Sequence, residues 1–439
     1  MIRPGRISVG ATAVFATRTL ALVLTAATTF VLARLLAPSD LGGYYLLVLL
    51  PPSMLALFSF GLPGSLTYHA GRGNDLDEVR SLAVGLGLGL SAAIVAMVLL
   101  LQPVLAATVL AAAPRSLIPL SAAAIPGTFV ASFCGAVILG RQRLRAYNAL
   151  VLGHGIALVA GQLLVVGVAH GGLVGAVATY VAVATAMGLA GAVLMLRVAP
   201  YHPRGDRRIA RSLAGYGLRL QPASLAGFFS YRADVFLMSA LLRDSTALGV
   251  YGLAVNIAEL VFYIPDAVAT VLFPRVAASD RAEAANLVPA VSRTTLLLTA
   301  AAAVALALVT VVAVPLLLPA YTRSIVPALI LLPGIVGLSA SKVLSGYLSG
   351  IGRPGPISIV AATMLVLNLA LNLVLIPAFG PSGASTASLV SYSLNGAIMV
   401  ILGSRQAGVP VRAMILPRRA DLERLRRTLA SPLESRLNR

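Results

Sequence analysis

The sequence has no tryptophan, a single cysteine, four histidines and only 14 acidic residues in 439. Each scarcity excludes something. A lone cysteine cannot close a disulfide within the chain, and the apolar run around Cys134 predicts a buried, inert thiol. His69, His154, His170 and His202 are scattered, with none of the spacings that hold a metal, and the chain contains no Walker loop, no GxSxG elbow and no paired carboxylates. No cofactor or metal is expected. Charged residues make up only 11% of the chain, too few to solvate the surface of a soluble domain of this length.

What is abundant is apolar length. Hydrophobic residues reach 59%, mean hydropathy is +0.94, and run after run of about 20 residues is long enough to cross about 30 Å of hydrocarbon. The sequence predicts an all-α integral membrane protein with about twelve spans. They fall near 8–36, 41–69, 81–106, 115–140, 147–169, 172–196, 215–242, 246–273, 288–318, 324–350, 355–379 and 381–403. Strands are a poor alternative, because TTLLLTAAAAVALALVTVVAVPLLL and similar runs do not alternate apolar with polar residues. The first run is too long for a signal-peptide core and reads as an uncleaved span. With both termini inside, 25 of the 33 basic residues fall on cytoplasmic ends and loops, a bias that places both termini in the cytoplasm. The net charge of +19 is then a topology signal that also attracts anionic lipid head groups, and nucleic acid is not needed to explain it. External loops are short, which leaves no extramembrane domain for a catalytic site. The chain is read as a non-enzyme, and a membrane polymerase or ligase is disfavoured.

The chain repeats itself at an offset of 207. ARLLAPSDLGGYYLLV at 33–48 matches SALLRDSTALGVYGLAV at 239–255, pairing Leu41, Gly42 and Tyr44 with Leu248, Gly249 and Tyr251. GGLVGAVAT at 171–179 matches GPSGASTAS at 380–388 at nearly the same offset. An offset of six spans makes the two copies parallel, related by an axis along the membrane normal. This divides the chain into an N-terminal six-helix bundle (1–200), a cytoplasmic loop (201–212), a C-terminal six-helix bundle (213–405) and a basic cytoplasmic tail (406–439). Leu422, Leu425 and Leu429 share one face of that tail, which reads as a basic surface helix.

The candidate site residues are the polar groups inside spans, where a charge near the bilayer centre costs about 2.5–3.5 kcal/mol. Arg18 lies on the first span, Arg232 and Asp234 on the seventh, Lys342 on the tenth, and Asn368 and Asn372 one turn apart on the eleventh. Asn256, Glu259, Tyr263 and Asp266 follow steps of three, four and three on the eighth, one face of a continuous helix. Ionisable residues within spans face a bundle interior or a water-filled cavity, so Arg18, Arg232, Lys342, Asn256, Asn368 and Asn372 are assigned to a substrate cavity. Glu259, Asp234 and Asp266 are assigned to coupling or ion pairing. Plainer roles stand beside these: the asparagines also serve as helix glue, Arg219 also snorkels to head groups, and Asp266, after Pro265, also caps a broken helix. Arg232 and Glu259 fall at similar depth on antiparallel neighbours and are expected to pair when the cavity is empty. Asp234 is expected to face elsewhere, toward the first span or a water.

ARLLAPSDLGGYYLLV after a first helix, GLPGSLTYHAGRG closing the second, and RADVFLMSALLRDSTALGVYGLAVNIAELVFYIPDAVATVLFPRVA across the seventh and eighth resemble the Wzx-type oligosaccharide flippases. These belong to the multidrug/oligosaccharidyl-lipid/polysaccharide export superfamily. The resemblance covers residues 1–405 and implies two six-helix bundles around a central cavity in a bacterial inner membrane. It also implies transport of an undecaprenyl-pyrophosphate-linked oligosaccharide to the outer leaflet, as in lipopolysaccharide synthesis. By the same resemblance, Arg18, Arg232, Glu259 and Lys342 correspond to the charged cavity lining. The absence of an ATP site leaves the membrane potential, or exchange of H+ or Na+, to drive alternating access. Two rivals share the fold: a multidrug/cation antiporter, which the lack of tryptophan and the basic lining disfavour, and a lipid-II or teichoic-acid flippase.

Overall fold

The computed structural model describes residues 4–72, 76–197 and 207–418. Their apolar runs fold as helices because hydrocarbon offers no partner to backbone N–H and C=O groups, which a helix satisfies within one segment. The helices are α1 (Pro4–Leu35), α2 (Pro38–Phe58), α3 (Leu62–Arg72), α4 (Leu76–Leu100), α5 (Gln102–Ala107), α6 (Ile118–Ala122), α7 (Ile125–Gly140) and α8 (Leu144–Gln162). They continue with α9 (Gly172–Leu196), α10 (Arg207–Leu242), α11 (Ser245–Glu259), α12 (Tyr263–Ala278), α13 (Arg281–Leu317), α14 (Ile325–Gly350), α15 (Gly355–Ala407) and α16 (Val411–Ile415). Among the described residues there is no strand. Among the described residues, ten helical segments are long and apolar enough to cross a membrane, Thr19–Leu35 of α1 is a shorter apolar stretch, and α15 kinks at Gly380 (φ 56°, ψ −132°). On α13, Val304, Leu308, Val312 and Leu316 are 61 to 74% exposed at steps of four, the stripe expected of a lipid-facing helix.

Three differences from the sequence reading concern where helices break or start. The second span is two helices, separated at Phe60 (φ 51°) and Gly61 (φ 66°). The eighth tightens into a 3-10 turn over Leu260–Phe262, because Pro265 has no N–H for the carbonyl of Val261 and its ring crowds that carbonyl. Asn256, Glu259, Tyr263 and Asp266 are therefore not on one continuous helix: the first two end α11 and the last two begin α12. Finally, α10 already includes Arg207, inside the stretch read as the inter-bundle loop, since arginine extends a helix readily. Residues 198–206 of that loop, and the tail helix read at 419–439, lie outside the described residues.

Packing divides the chain into two compact units. The first holds Met1–Asn256, Pro315–Ser324 and Asn372–Ala384; α7 lies at its centre against α3, α4 and α9, and α8 packs on α1. Phe129, Phe133 and Cys134 are wholly buried there, so the cysteine is the inert core residue expected. The second holds Ile257–Val314, Ile325–Leu371 and Ser385–Arg439, with α12 packed along α14 over Leu272, Val276, Val343 and Tyr347. Each unit has a glycine seam: Gly127 against Gly188 in the first, Gly337 against Gly396 in the second. Small residues let helix backbones approach where lipid gives no hydrophobic drive for association.

Within the first unit the two repeated motifs meet each other. A Cβ on Gly42 would fall on the carbonyl of Ser245, and a Cβ on Gly249 would fall on the carbonyl of Pro38. Since Pro38 and Gly42 are the repeat mates of Ser245 and Gly249, the contact is reciprocal. Neighbouring arginines follow the same plan: Arg34 donates to the Leu317 carbonyl at the end of α13 (2.8 Å), and Arg243 reaches the Ala107 carbonyl at the end of α5 (3.5 Å). Each places a cation on helix C-terminal carbonyls that lack an intrahelical partner.

Candidate functional site

In the second unit, the Pro265 break leaves Asp266 in the first turn of α12, where free N–H groups and the helix dipole favour a carboxylate. From mid-α14, Lys342 Nζ donates to Asp266 Oδ1 at 2.6 Å and sits 4.2 Å from the centre of the Phe262 ring. Phe262 in turn lies 6.3 Å from Tyr392 of α15. The lysine side chain is 19% exposed and the aspartate 48%, so the pair is half-covered and open to exchange. Lys342, assigned to the cavity, and Asp266, assigned to coupling or ion pairing, are thus direct partners, a pairing that neither assignment named.

The polar residues beside them bind helices together. Ser341 donates to Asn395 (2.7 Å), and Asn368 donates to Ser391 (3.0 Å), which itself donates to the Ala387 carbonyl. Asn368 is 5% exposed; Asn372, which belongs to the first unit, is fully buried. In the first unit, Asn256 donates to the carbonyl of Gly252 on its own helix (2.8 Å) and is half-buried. Arg232 and Glu259 are half-buried on α10 and α11. Arg18 lies on α1, with its side chain outside the described residues.

Asp234 has partners that the sequence reading did not name: Tyr251 of α11 donates its hydroxyl to Oδ2, and Oδ1 accepts from the Val235 N–H at 2.8 Å. The carboxylate is 7% exposed, and the hairpin between α10 and α11 sets the tyrosine opposite it. Tyr251 was missed as a site residue, although the repeat carried a signal. Its mate, Tyr44, is also buried and is reached by the side-chain amide of Gln162 (3.4 Å).

Breaking the Lys342–Asp266 pair should cost stability, because each partner alone leaves a partly covered charge. Lys342→Met and Asp266→Asn are each expected to lower the thermal midpoint of the purified protein. The double variant should recover part of the loss, with a coupling of about 1 kcal/mol, between the exposed and buried limits for ion pairs. Strictly additive losses would show that the pair contributes nothing.

Apolar helices long enough to cross a membrane, several of them broken within their length, define the described residues as a multi-pass helical membrane fold. The chain superposes on the lipid II flippase MurJ in an inward closed conformation with a TM-score of 0.73 at 15% identity, covering 92% of this chain and 89% of that one. An inward-facing multidrug resistance MATE family transporter of the MOP superfamily gives 0.69 at 16% identity, over 90% and 98%. The MATE multidrug transporter DinF-BH in complex with R6G gives 0.63 at 16%, over 95% and 97%. At such identities the likeness is one of fold. No curated protein matches the chain. A family model does: over residues 31–327 the sequence fits it, and the chain belongs to the polysaccharide biosynthesis protein family.

Proposed function

We propose that the chain is a flippase that carries an undecaprenyl-pyrophosphate-linked oligosaccharide from the cytoplasmic to the outer leaflet of a bacterial inner membrane, with both termini in the cytoplasm. The observation that carries the reading is membership of a polysaccharide biosynthesis family by a chain with the fold of a lipid flippase. The chemistry agrees. A sugar pyrophosphate brings about two negative charges and a hydrated glycan, neither of which crosses hydrocarbon unshielded, and Arg232 and Lys342 supply cations to meet it. Outward movement of an anion runs with an inside-negative potential, worth about 2.3 kcal/mol per charge per 100 mV. Glu259 or Asp266 is the coupling carboxylate if H+ or Na+ is exchanged. For Asp266 this means that an entering phosphate takes Lys342 and frees the acid. No catalytic step is part of the cycle.

Proteoliposomes test the reading directly. A fluorescent lipid-linked oligosaccharide should move between leaflets at a rate that rises with an imposed potential, while a cationic dye should not accumulate. Dye accumulation without oligosaccharide movement would assign the chain to drug transport instead. In a Cys134→Ala background, cysteines at Thr25 and Asn256 should react with a water-soluble maleimide from at least one side. Silence at both positions would remove the hydrated cavity on which the mechanism depends.

A further inference from the structure

Four arginines that the transport cycle above does not use converge on one cavity of the first unit. It measures about 600 Å³ and is lined by Tyr68 and Arg72 of α3 and by Arg208, Arg211, Tyr216 and Arg219 of α10. No carboxylate among the described residues lines it. Its volume is that of a small-molecule site, for which about 300–1,000 Å³ is usual.

Its walls are built, not merely charged. Tyr68 and Tyr216 stack in parallel, ring centres 4.4 Å apart at 12°, and the Arg72 guanidinium lies 4.7 Å from the Tyr68 ring centre. Behind them, buried His69 stands edge-on to both tyrosines at 5.3 and 6.1 Å. Its ring nitrogens lie 2.9 Å from the Ser65 carbonyl and 2.9 Å from the Ser212 hydroxyl, so one residue ties α3 to α10. Ser65 adds a second tie, donating to the Leu213 carbonyl (2.8 Å). The backbones themselves touch, since a Cβ on Gly61 would fall on the carbonyl of Gly217. Arginines that only mark the cytoplasmic side need no stacked aromatic floor and no buried histidine. Guanidinium forks match phosphate oxygens two at a time. An aromatic floor beneath them suits the apolar face of a sugar ring.

We propose that this pocket binds a phosphate-bearing glycosyl group, presented at the membrane surface before it enters the spans. The shared chemistry, a sugar on a diphosphate, comes either from a polyprenyl-linked lipid or from a soluble sugar nucleotide. As an entry station the pocket rests on the flippase reading, whereas the binding itself does not.

Gly215 supplies a local probe, because it lines the pocket and a Cβ there meets nothing within 4 Å. In full-length Cys134→Ala protein in nanodiscs, Gly215→Cys should label with a water-soluble maleimide. A polyprenyl diphosphate sugar should protect it, and Arg211→Gln with Arg219→Gln should raise the concentration needed at least tenfold. Protection by a soluble uridine diphosphate sugar at equal concentration would make the soluble compound the source. No protection by either compound, or protection indifferent to the arginine changes, would overturn the site. Gly215→Leu, which replaces a helical glycine and so does not weaken the helix, should slow flipping at least tenfold. If wild-type proteoliposomes do not flip the lipid while protection holds, the flippase reading fails and the site stands. If flipping is normal in Gly215→Leu and protection is absent, the site fails and the flippase reading stands.

Discussion

Arg232→Ala should abolish movement of the lipid-linked oligosaccharide while the protein still reaches the membrane at the wild-type level. An arginine near the bilayer centre costs about 2.5–3.5 kcal/mol to insert, so removing it should ease insertion. On the proposed function, what is lost is the cation that would meet the pyrophosphate. The sequence reading adds a partner: Arg232 is expected to pair with Glu259 when the cavity is empty, and a pyrophosphate would displace the carboxylate and leave it free to take a proton. Glu259→Gln should then slow transport and flatten its dependence on an imposed proton gradient, whereas Arg232→Ala removes transport altogether. Wild-type export by Arg232→Ala at equal expression would defeat the scheme, as would a Glu259→Gln variant whose response to the gradient is unchanged.

A second large effect is expected at the reciprocal contact. Gly42→Leu and Gly249→Leu each set a side chain onto a backbone carbonyl, an obstacle that no neighbouring rotamer can relieve. Each should lower stability by about 1–3 kcal/mol or more and cut transport by at least tenfold, since the helix ends around Pro38 and Ser245 can no longer close on each other. Reciprocity sharpens the expectation. The milder pair Gly42→Ala and Gly249→Ala should produce losses of similar size, because each methyl group meets the mate of the carbonyl that the other meets. A large loss for one with full tolerance of the other, read as thermal midpoints of the purified variants, would show that the symmetry of the motifs does not extend to their packing.

The spans were legible because nothing but a membrane helix explains runs such as those on α13, and the repeat was legible because its glycines must stay glycines where backbones touch. The break at Leu260–Phe262 was half-legible: Pro265 announces it, but a polar stripe read at uniform helical steps runs straight through it. Partner identities were the least readable. Asp234 is answered by Tyr251, which lies on another helix and whose hydroxyl has no charge to mark it in an apolar run. The Tyr68–Tyr216 stack needs α3 and α10 to be adjacent, and adjacency of spans distant in sequence leaves no local pattern. Arg207, Arg208 and Arg211 looked like loop charge because topology alone accounts for basic residues there. Only the convergence of Arg208 and Arg211 on a cavity distinguishes those two.

The reciprocal contact around Gly42 and Gly249 has the form of an interface between two identical subunits, in which residue i of one meets residue j of the other and the reverse. A six-helix chain carrying that motif could dimerise through it, and every substitution in such a dimer would appear twice. Fusion of the copies removes that constraint. At the repeat offset, the positions matching Asp234, Glu259, Asp266 and Lys342 are Ala27, Pro52, Ser59 and Gly135, none of them charged. A homodimer could not have held this asymmetry. One gene with two copies keeps a self-complementary frame and lets a single half carry the acids and the lysine.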